Sequence, residues 1–246
     1  MIYFYIPAKN PEMRQSIWLV IILLSLNTFV AGQHYSPGRN EADPDWLEQF
    51  LYSGVEWRPE FHMVSGHEFF LTSEYLDADI TVEGISFRNV RIRYDICNDN
   101  VIILWKSNFP IALSRQRIDG FTVRHDGTER RFVNYRETFP EFSGFAEVLY
   151  SGGTTFVARH TKALNYNPSS TAFSQFMDYT KYFYMIGGTC NQVKSRRTFL
   201  KLMGDHEQEV KRYIRQNNIL MSNFSPAGFS TAAAYHDSLV AKKGTE

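Results

Sequence analysis

The sequence predicts a mainly β fold of antiparallel hairpins followed by two short C-terminal helices. Between residues 65 and 193, short alternating or wholly apolar segments are separated by glycine, asparagine and aspartate turns. After residue 194 the apolar side chains change to helical spacing. About ten strands at this spacing indicate a sandwich, a barrel or a strongly curved sheet.

The amino terminus has the layout of a secretory signal peptide. Arg14 precedes an apolar segment over residues 17–24, and small residues end the region at Gly32. A membrane-spanning helix needs about 20 apolar residues, so we predict that residues 1–32 are cleaved; an uncleaved signal anchor is the alternative, and Met13 is an alternative start. The protein is then expected to be exported, to a periplasm or outside the cell, with no transmembrane segment after cleavage.

Residues 33–64 read as a polar lead-in that contains one short helix. Asp43 can cap this helix, Pro44 suits its first turn, and Gly54 can end it. The apolar residues between them recur on one helix face. A strand over residues 50–57 is the alternative.

Four glycine turns predict tight hairpins within the β domain, residues 65–193. They are Glu83-Gly84, Asp126-Gly127, Gly152-Gly153 and Gly187-Gly188. Two consecutive glycines, or an acidic residue followed by glycine, supply the positive φ angles that two-residue turns require. Between the turns, apolar and polar side chains alternate over residues 89–94, which indicates a strand with one buried and one solvent-exposed face. Residues 101–105 are all apolar, which indicates a central strand covered on both sides.

Residues 194–220 are predicted to form two helices packed on the sheet. Gly204 ends the first, and Asp205 is predicted to cap the second. Residues 221–246 are rich in small side chains and are predicted to form a partly mobile tail.

Charge and cysteine content restrict the classes of function. The chain has 26 basic and 26 acidic residues. A balanced chain does not suit a general nucleic-acid or anionic-membrane binder, because such proteins depend on many cationic contacts. Export permits one disulfide between Cys97 and Cys190; two unpaired thiols are the alternative.

Several groups of residues carry a family resemblance. They are Gly66-His67-Glu68-Phe69-Phe70, residues 84–90, residues 93–96 with Asp99 and Val101, residues 144–150, residues 194–197 with 199–202, and residues 210–214. With these residues, most of the region 55–220 resembles an uncharacterised family of exported, strand-rich proteins from the Bacteroidota. The resemblance implies export and a β domain with terminal helices. It transfers no site residue, because no activity is established for that family.

Metal and cofactor sites are not predicted. Residues 94–100 concentrate acidic and amide oxygens, but they lack the glycine and distal glutamate of a calcium loop, so a turn is favoured. The seven histidines are His34, His62, His67, His125, His160, His206 and His236. None forms the two-histidine helix of zinc proteases, and we expect surface or half-buried imidazoles.

Catalytic signatures are also missing from the sequence. Ser143-Gly144 and Ser151-Gly152 lack the nucleophile-elbow motif, and Cys97 or Cys190 needs a lowered thiol pKa to act as a nucleophile. Glu141 with Glu147, or Asp77 with Asp79, could pair as glycosidase acids only if folding brings them to the right separation.

Two sets of surface residues leave alternatives open. Arg115, Arg117, Arg130, Arg131, Arg196 and Arg197 either gather into an anion-binding face or, as we favour, lie on solvated faces that protect strand edges. Tyr179, Tyr182, Phe183 and Tyr184 either pack in the core, as we favour, or form a sugar-stacking platform.

The sequence therefore favours a non-catalytic exported protein that binds a partner in the cell envelope or has a structural role there. A secreted hydrolase with a site assembled from loops is the main alternative, and a β-barrel carrier of an apolar ligand is the third. A packed interior with no converging polar groups indicates the first. A cleft with a hydrogen-bonded acid, histidine or cysteine set indicates the hydrolase, and an apolar cavity of several hundred cubic ångströms indicates the carrier.

Overall fold

Eleven strands pair in one open antiparallel sheet of order β1-β5-β4-β3-β2-β6-β7-β8-β9-β10-β11. They are β1 (Gly54–Glu56), β2 (Leu76–Val82), β3 (Ile85–Asp95), β4 (Asn100–Trp105), β5 (Phe109–Leu113), β6 (Ile118–His125), β7 (Thr128–Asn134), β8 (Phe145–Ser151), β9 (Thr155–Asn165), β10 (Gln175–Ile186) and β11 (Thr189–Val193). The β-rich, antiparallel class predicted from the sequence is confirmed. A sandwich would need two packed sheets, whereas the described strands form one.

The structure, a computed structural model, describes residues 44–243 except 62–63, 107–108, 137, 140–141, 166–173 and 223–225. The predicted signal peptide, the alternative start at Met13 and the cap Asp43 lie outside the described residues, as do His34, His62 and Glu141.

Three of the four predicted turns have the expected backbone. Both central residues have positive φ in Glu83-Gly84 (48° and 81°), Asp126-Gly127 (48° and 71°) and Gly187-Gly188 (55° and 77°). The turn at Gly152-Gly153 joins β8 to β9 as predicted, but neither glycine has positive φ. Glycine is required there by close packing instead, because a Cβ atom on Gly152 would overlap Tyr150 Oη and lie 2.7 Å from Asp237 Oδ2.

The sheet curves strongly, so that strands distant in the sheet order meet. Four strands separate β3 from β9, yet the Lys162 amide on β9 donates to the Ile96 carbonyl just after β3, at 3.2 Å. The concave face encloses an aromatic core in which Tyr94, Phe121 and Phe132 pack with ring centroids 4.8–5.3 Å apart. The central strand is confirmed too: Val101, Ile102 and Ile103 are fully buried.

Helix α1 (Pro44–Leu51) confirms the helix predicted in the lead-in. Its Phe50 and Leu51 are buried in the main core of the sheet. Strand β1 follows and pairs with β5, so part of the predicted lead-in belongs to the β fold.

Two short helices follow β11, as predicted. Helix α2 (Arg196–Lys201) is capped by Ser195, whose side chain accepts from the Thr198 amide. Helix α3 (Glu207–Gln216) follows a 3-10 turn over Gly204–His206. The prediction that Asp205 caps α3 is wrong: Asp205 lies within the 3-10 turn, and His206 precedes the helix without a side-chain capping bond.

A third C-terminal helix, α4 (Ala227–Lys243), replaces most of the predicted tail. The helix was not predicted because the small residues of this segment do not form a clear apolar helix face. Alanine is nevertheless a strong helix former. The small side chains of Ala232 and Ala233 allow α4 to pack closely against the rest of the fold, and both residues are fully buried. Phe229, 2% exposed, packs with Phe156 and Phe199, at centroid distances of 5.6 and 5.1 Å.

Asp237 fastens α4 to the β8–β9 hairpin. Its Oδ2 accepts from the Tyr150 hydroxyl (2.8 Å) and the Thr154 amide (2.9 Å), and its Oδ1 accepts from the Thr154 hydroxyl (2.8 Å). The Tyr184 hydroxyl donates in turn to Thr154 Oγ1 at 2.9 Å. Burial raises the pKa of Tyr150 and of Tyr184 to about 12, so both phenols remain donors at neutral pH. We refer to this group as the Asp237 latch.

Candidate functional site

A cleft of about 450 Å³ opens between residues 64–71 and the strands β9 and β10. Polar side chains line it, including His67, His160, Lys162, Asp178, Tyr179 and Thr180. Residues 159–165 of β9 and 175–181 of β10 lie outside the buried core, and the 64–71 segment packs beside them.

Four neighbouring strands each contribute one polar residue beside the cleft. Arg130 comes from β7, Glu147 from β8, His160 from β9 and Thr180 from β10. His160 and Thr180 are directly opposed in the β9–β10 register, so their side chains lie on the same face. The Phe70 ring packs on the imidazole, at a centroid distance of 4.9 Å.

These residues form a continuous hydrogen-bonded row. His160 Nε2 lies 2.7 Å from Glu147 Oε2, and Arg130 Nη1 donates to Glu147 Oε1 at 3.1 Å. His160 Nδ1 lies 3.1 Å from the Thr180 hydroxyl oxygen. A carboxylate only accepts, so Glu147 selects the tautomer with the proton on Nε2, and a neutral imidazole then accepts the Thr180 proton at Nδ1.

Lys162 holds the 64–71 segment against β9. Its ammonium group donates to the carbonyl oxygens of His67 (2.9 Å) and Phe69 (2.8 Å), and its side chain is 9% exposed. Leu71, at the lip of the cleft, has a φ of 61°, which is uncommon for a leucine. The segment is therefore fixed in a strained conformation beside an open cleft.

Two histidines, His67 half-buried and His236 buried, make stability depend on pH. Burial is the main cause that lowers the pKa of His67 in the cleft and of His236 on α4. The unfolded chain therefore binds more protons than the folded one just below the ordinary histidine pKa of about 6.5. We expect the free energy of unfolding to be maximal above about pH 6.5 and to fall as the pH decreases towards the lower folded-state values.

Urea unfolding between about pH 5.5 and 7.5 measures this dependence. The double variant His67→Gln/His236→Gln should flatten the profile. An equally steep profile in that variant would assign the dependence to other groups.

The two cysteines are both thiols and lie on different parts of the sheet. Cys97 is in the turn after β3, and Cys190 is on β11, at one edge of the sheet. Burial, with a contribution from the Asp95 carboxylate, raises the pKa of the Cys97 thiol to about 12. A thiol with this pKa is a weak nucleophile at neutral pH.

The acidic segment 94–100 contains the turn favoured from the sequence, at residues 96–99 between β3 and β4. Asp95 Oδ1 accepts from the backbone amides of Cys97 (2.8 Å) and Asn98 (3.0 Å), and Asp99 has a left-handed φ of 59°. Within the described residues, no group of three or more histidine, cysteine, aspartate or glutamate side chains is arranged to hold a metal ion.

Asp99 instead centres a buried ionic network that the sequence did not reveal. Arg159 Nη1 donates to Asp99 Oδ1 (2.7 Å), to the Tyr94 hydroxyl (3.0 Å) and to the Phe145 carbonyl (2.6 Å). Arg115 contacts the other carboxylate oxygen at 3.2 Å. Gly144, with φ 94°, lies so close that a Cβ atom there would overlap Asp99 Oδ2. The charged side chains of the network pair with one another, and these contacts hold β9 against the β3–β4 turn.

The remaining predicted candidates are dispersed. Ser143 is exposed before β8 and Ser151 is exposed at its last position. Asp77 is exposed on β2, and Asp79 on the same strand is paired with Arg124. His125 lies 3.3 Å from Asp126 in a turn, and His206 packs against His236 at a ring distance of 5.8 Å. Tyr182, Phe183 and Tyr184 are buried, whereas Tyr179 is 51% exposed at the cleft.

The six predicted arginines do not gather on one face. Arg115, Arg117 and Arg130 are paired with Asp99, Glu83 and Glu147, respectively. Arg131 is exposed on β7, and Arg196 and Arg197 are exposed at the start of α2.

Fold and cleft together define a β-rich protein with one strongly curved antiparallel sheet and a partly covered polar cleft. Comparisons with protein-family models, with curated proteins and with solved structures find no match. No helix in the described part of the chain is long and apolar enough to span a membrane.

Proposed function

We propose that the protein is an exported, non-catalytic binding protein of the cell envelope, and that the cleft takes a small hydroxyl-rich ligand. The layout of residues 1–32 and the resemblance to an exported family support the export. Among the described residues, the cleft supports the binding role.

One observation supports the binding role. The charged side chains beside the cleft already contact other groups of the protein, whereas side chains on β10 that suit ligand contact are exposed to solvent. Glu147 is held by Arg130 and His160, and Lys162 by two carbonyl oxygens. On β10, Asp178 lies 3.7 Å from the Lys162 ammonium, but its side chain is 73% exposed, and Tyr179 is 51% exposed.

This combination matches the chemistry of a hydroxyl-rich ligand. An aromatic ring can cover the apolar face of a sugar, and carboxylate and hydroxyl oxygens accept hydrogen bonds from its hydroxyl groups. Charged and hydrogen-bonding side chains line the cleft beside apolar ones such as Phe70 and Phe176, whereas a carrier of an apolar ligand would need a mainly apolar cavity.

Saturation-transfer NMR with a panel of mono- and disaccharides tests this function. We expect contact with at least one saccharide in the wild type and its loss in Tyr179→Ala and Asp178→Ala. Lys181→Ala is the matched control, because Lys181 is exposed on the same strand outside the cleft lining. Absence of contact with every saccharide would contradict the proposal, as would equal loss in the control.

The row from Thr180 through His160 to Glu147 favours a second candidate, a secreted hydrolase. Thr180 Oγ1 would bond to the carbonyl carbon of an ester while its proton moves to His160 Nδ1. The bond from that carbon to the alkoxide would then break as the alkoxide takes the proton, and water would hydrolyse the resulting acyl-threonine. Covalent labelling by a fluorophosphonate of the wild type and of Thr180→Ser, but not of Thr180→Val, would favour this candidate over the binding protein. If the fluorophosphonate labels neither the wild type nor Thr180→Ser, the hydrogen-bonded row of Thr180, His160 and Glu147 has a structural role.

A further inference from the structure

Positive charge is concentrated on the two short helices after the sheet. Seven basic and three acidic residues lie between positions 194 and 218, in a chain whose 26 basic and 26 acidic residues balance overall. The sheet differs in this respect, because several of its arginines, such as Arg124 and Arg130, are neutralised by carboxylates.

Much of this charge surrounds a groove of about 690 Å³ between α2 and α3. The lining includes Arg196, Arg197, Lys201, Glu207, Lys211 and Arg215. Glu207 pairs with Lys211 at 2.5 Å. Among the described residues, no carboxylate neutralises the other four cations, and Leu200, 4% exposed, joins the lining between them.

The form of the groove indicates the kind of anion that it accepts. Guanidinium groups bind carboxylates through two parallel hydrogen bonds, so three arginines and a lysine around one concave surface suit several carboxylates in succession. A membrane surface fits less well, since helices that bind membranes insert large apolar side chains. No large apolar side chain is exposed on α2 or α3.

We propose that the groove between α2 and α3 binds an extended acidic segment of a partner protein. The carboxylates of the segment replace the missing internal partners of the groove cations. This surface is separate from the cleft between residues 64–71 and the strands β9 and β10.

Fluorescence anisotropy with a fluorescein-labelled polyglutamate peptide and the full chain tests this interaction. We expect binding at low salt that weakens towards about 0.5 M sodium chloride. Arg196→Glu/Arg197→Glu should weaken it about tenfold or more. These positions begin α2, where acidic residues suit the helix dipole, so the variant should remain folded.

The matched control is Lys194→Glu/Arg212→Glu, which changes the net charge by the same amount at exposed residues outside the groove. Less than about twofold weakening in the control supports the groove. Three outcomes overturn the proposal: equal weakening in both variants, no peptide binding at low salt, or binding to phosphatidylglycerol vesicles in preference to the peptide. Circular dichroism of both variants verifies the fold.

Discussion

Replacement of Arg159 by methionine is expected to lower the free energy of unfolding by about 3 to 5 kcal/mol. The change removes three hydrogen bonds and leaves the Asp99 carboxylate, 5% exposed, with much less compensation in the core. Methionine keeps much of the side-chain volume, so loss of charge pairing rather than a cavity dominates the effect. Urea unfolding followed by tryptophan fluorescence measures it.

Two further variants separate charge pairing from general damage. Arg136→Met removes an exposed ion pair with Asp119 and should cost no more than about 1 kcal/mol. Adding Asp99→Asn to Arg159→Met should recover part of the loss, because the unpaired charge is then gone. If the double variant is as unstable as the sum of the two single variants, the network does not act as one charged unit.

Replacement of Asp237 by alanine is expected to cost about 3 kcal/mol and to release α4 first. The change leaves the Tyr150 hydroxyl and both donors of Thr154 without their acceptor, and each unsatisfied buried donor costs about 1 to 3 kcal/mol. Hydrogen exchange should show lower protection in α4 than in the strands at the centre of the sheet.

Ser238→Ala is the control for the latch, because Ser238 is exposed on the same helix and bonds only within it, to the Tyr235 carbonyl. Its effect should stay within about 0.5 kcal/mol. Equal protection of α4 in the wild type and in Asp237→Ala would show that helix packing around Phe229, not the latch, holds α4 in place.

The local features of the fold were predictable because neighbouring residues determine them. Acidic-glycine and glycine-glycine turns fix hairpins through backbone φ, and Glu83-Gly84 and Gly187-Gly188 behave in this way. Gly152-Gly153 shows the limit of that rule. Its glycines serve a contact with Asp237, more than 80 residues later in the chain, which local sequence does not reveal.

The candidate site was harder to predict for the same physical reason. Glu147, His160 and Thr180 come from three strands and meet only through strand register and sheet curvature. One signal was present in the sequence. Glu147 interrupts an apolar strand, and a carboxylate at such a position needs a buried partner.

The strand order also has a consequence for how the chain folds. Among the described strands, eight of the ten pairings join strands that follow each other directly in the chain, and β1–β5 and β2–β6 are the exceptions. Most of the sheet can therefore grow by successive hairpin closure, which costs less loop entropy than long-range pairing. The β2–β6 ladder joins the meander formed by β2–β5 to the meander formed by β6–β11, and its formation is the step expected to limit the rate of folding.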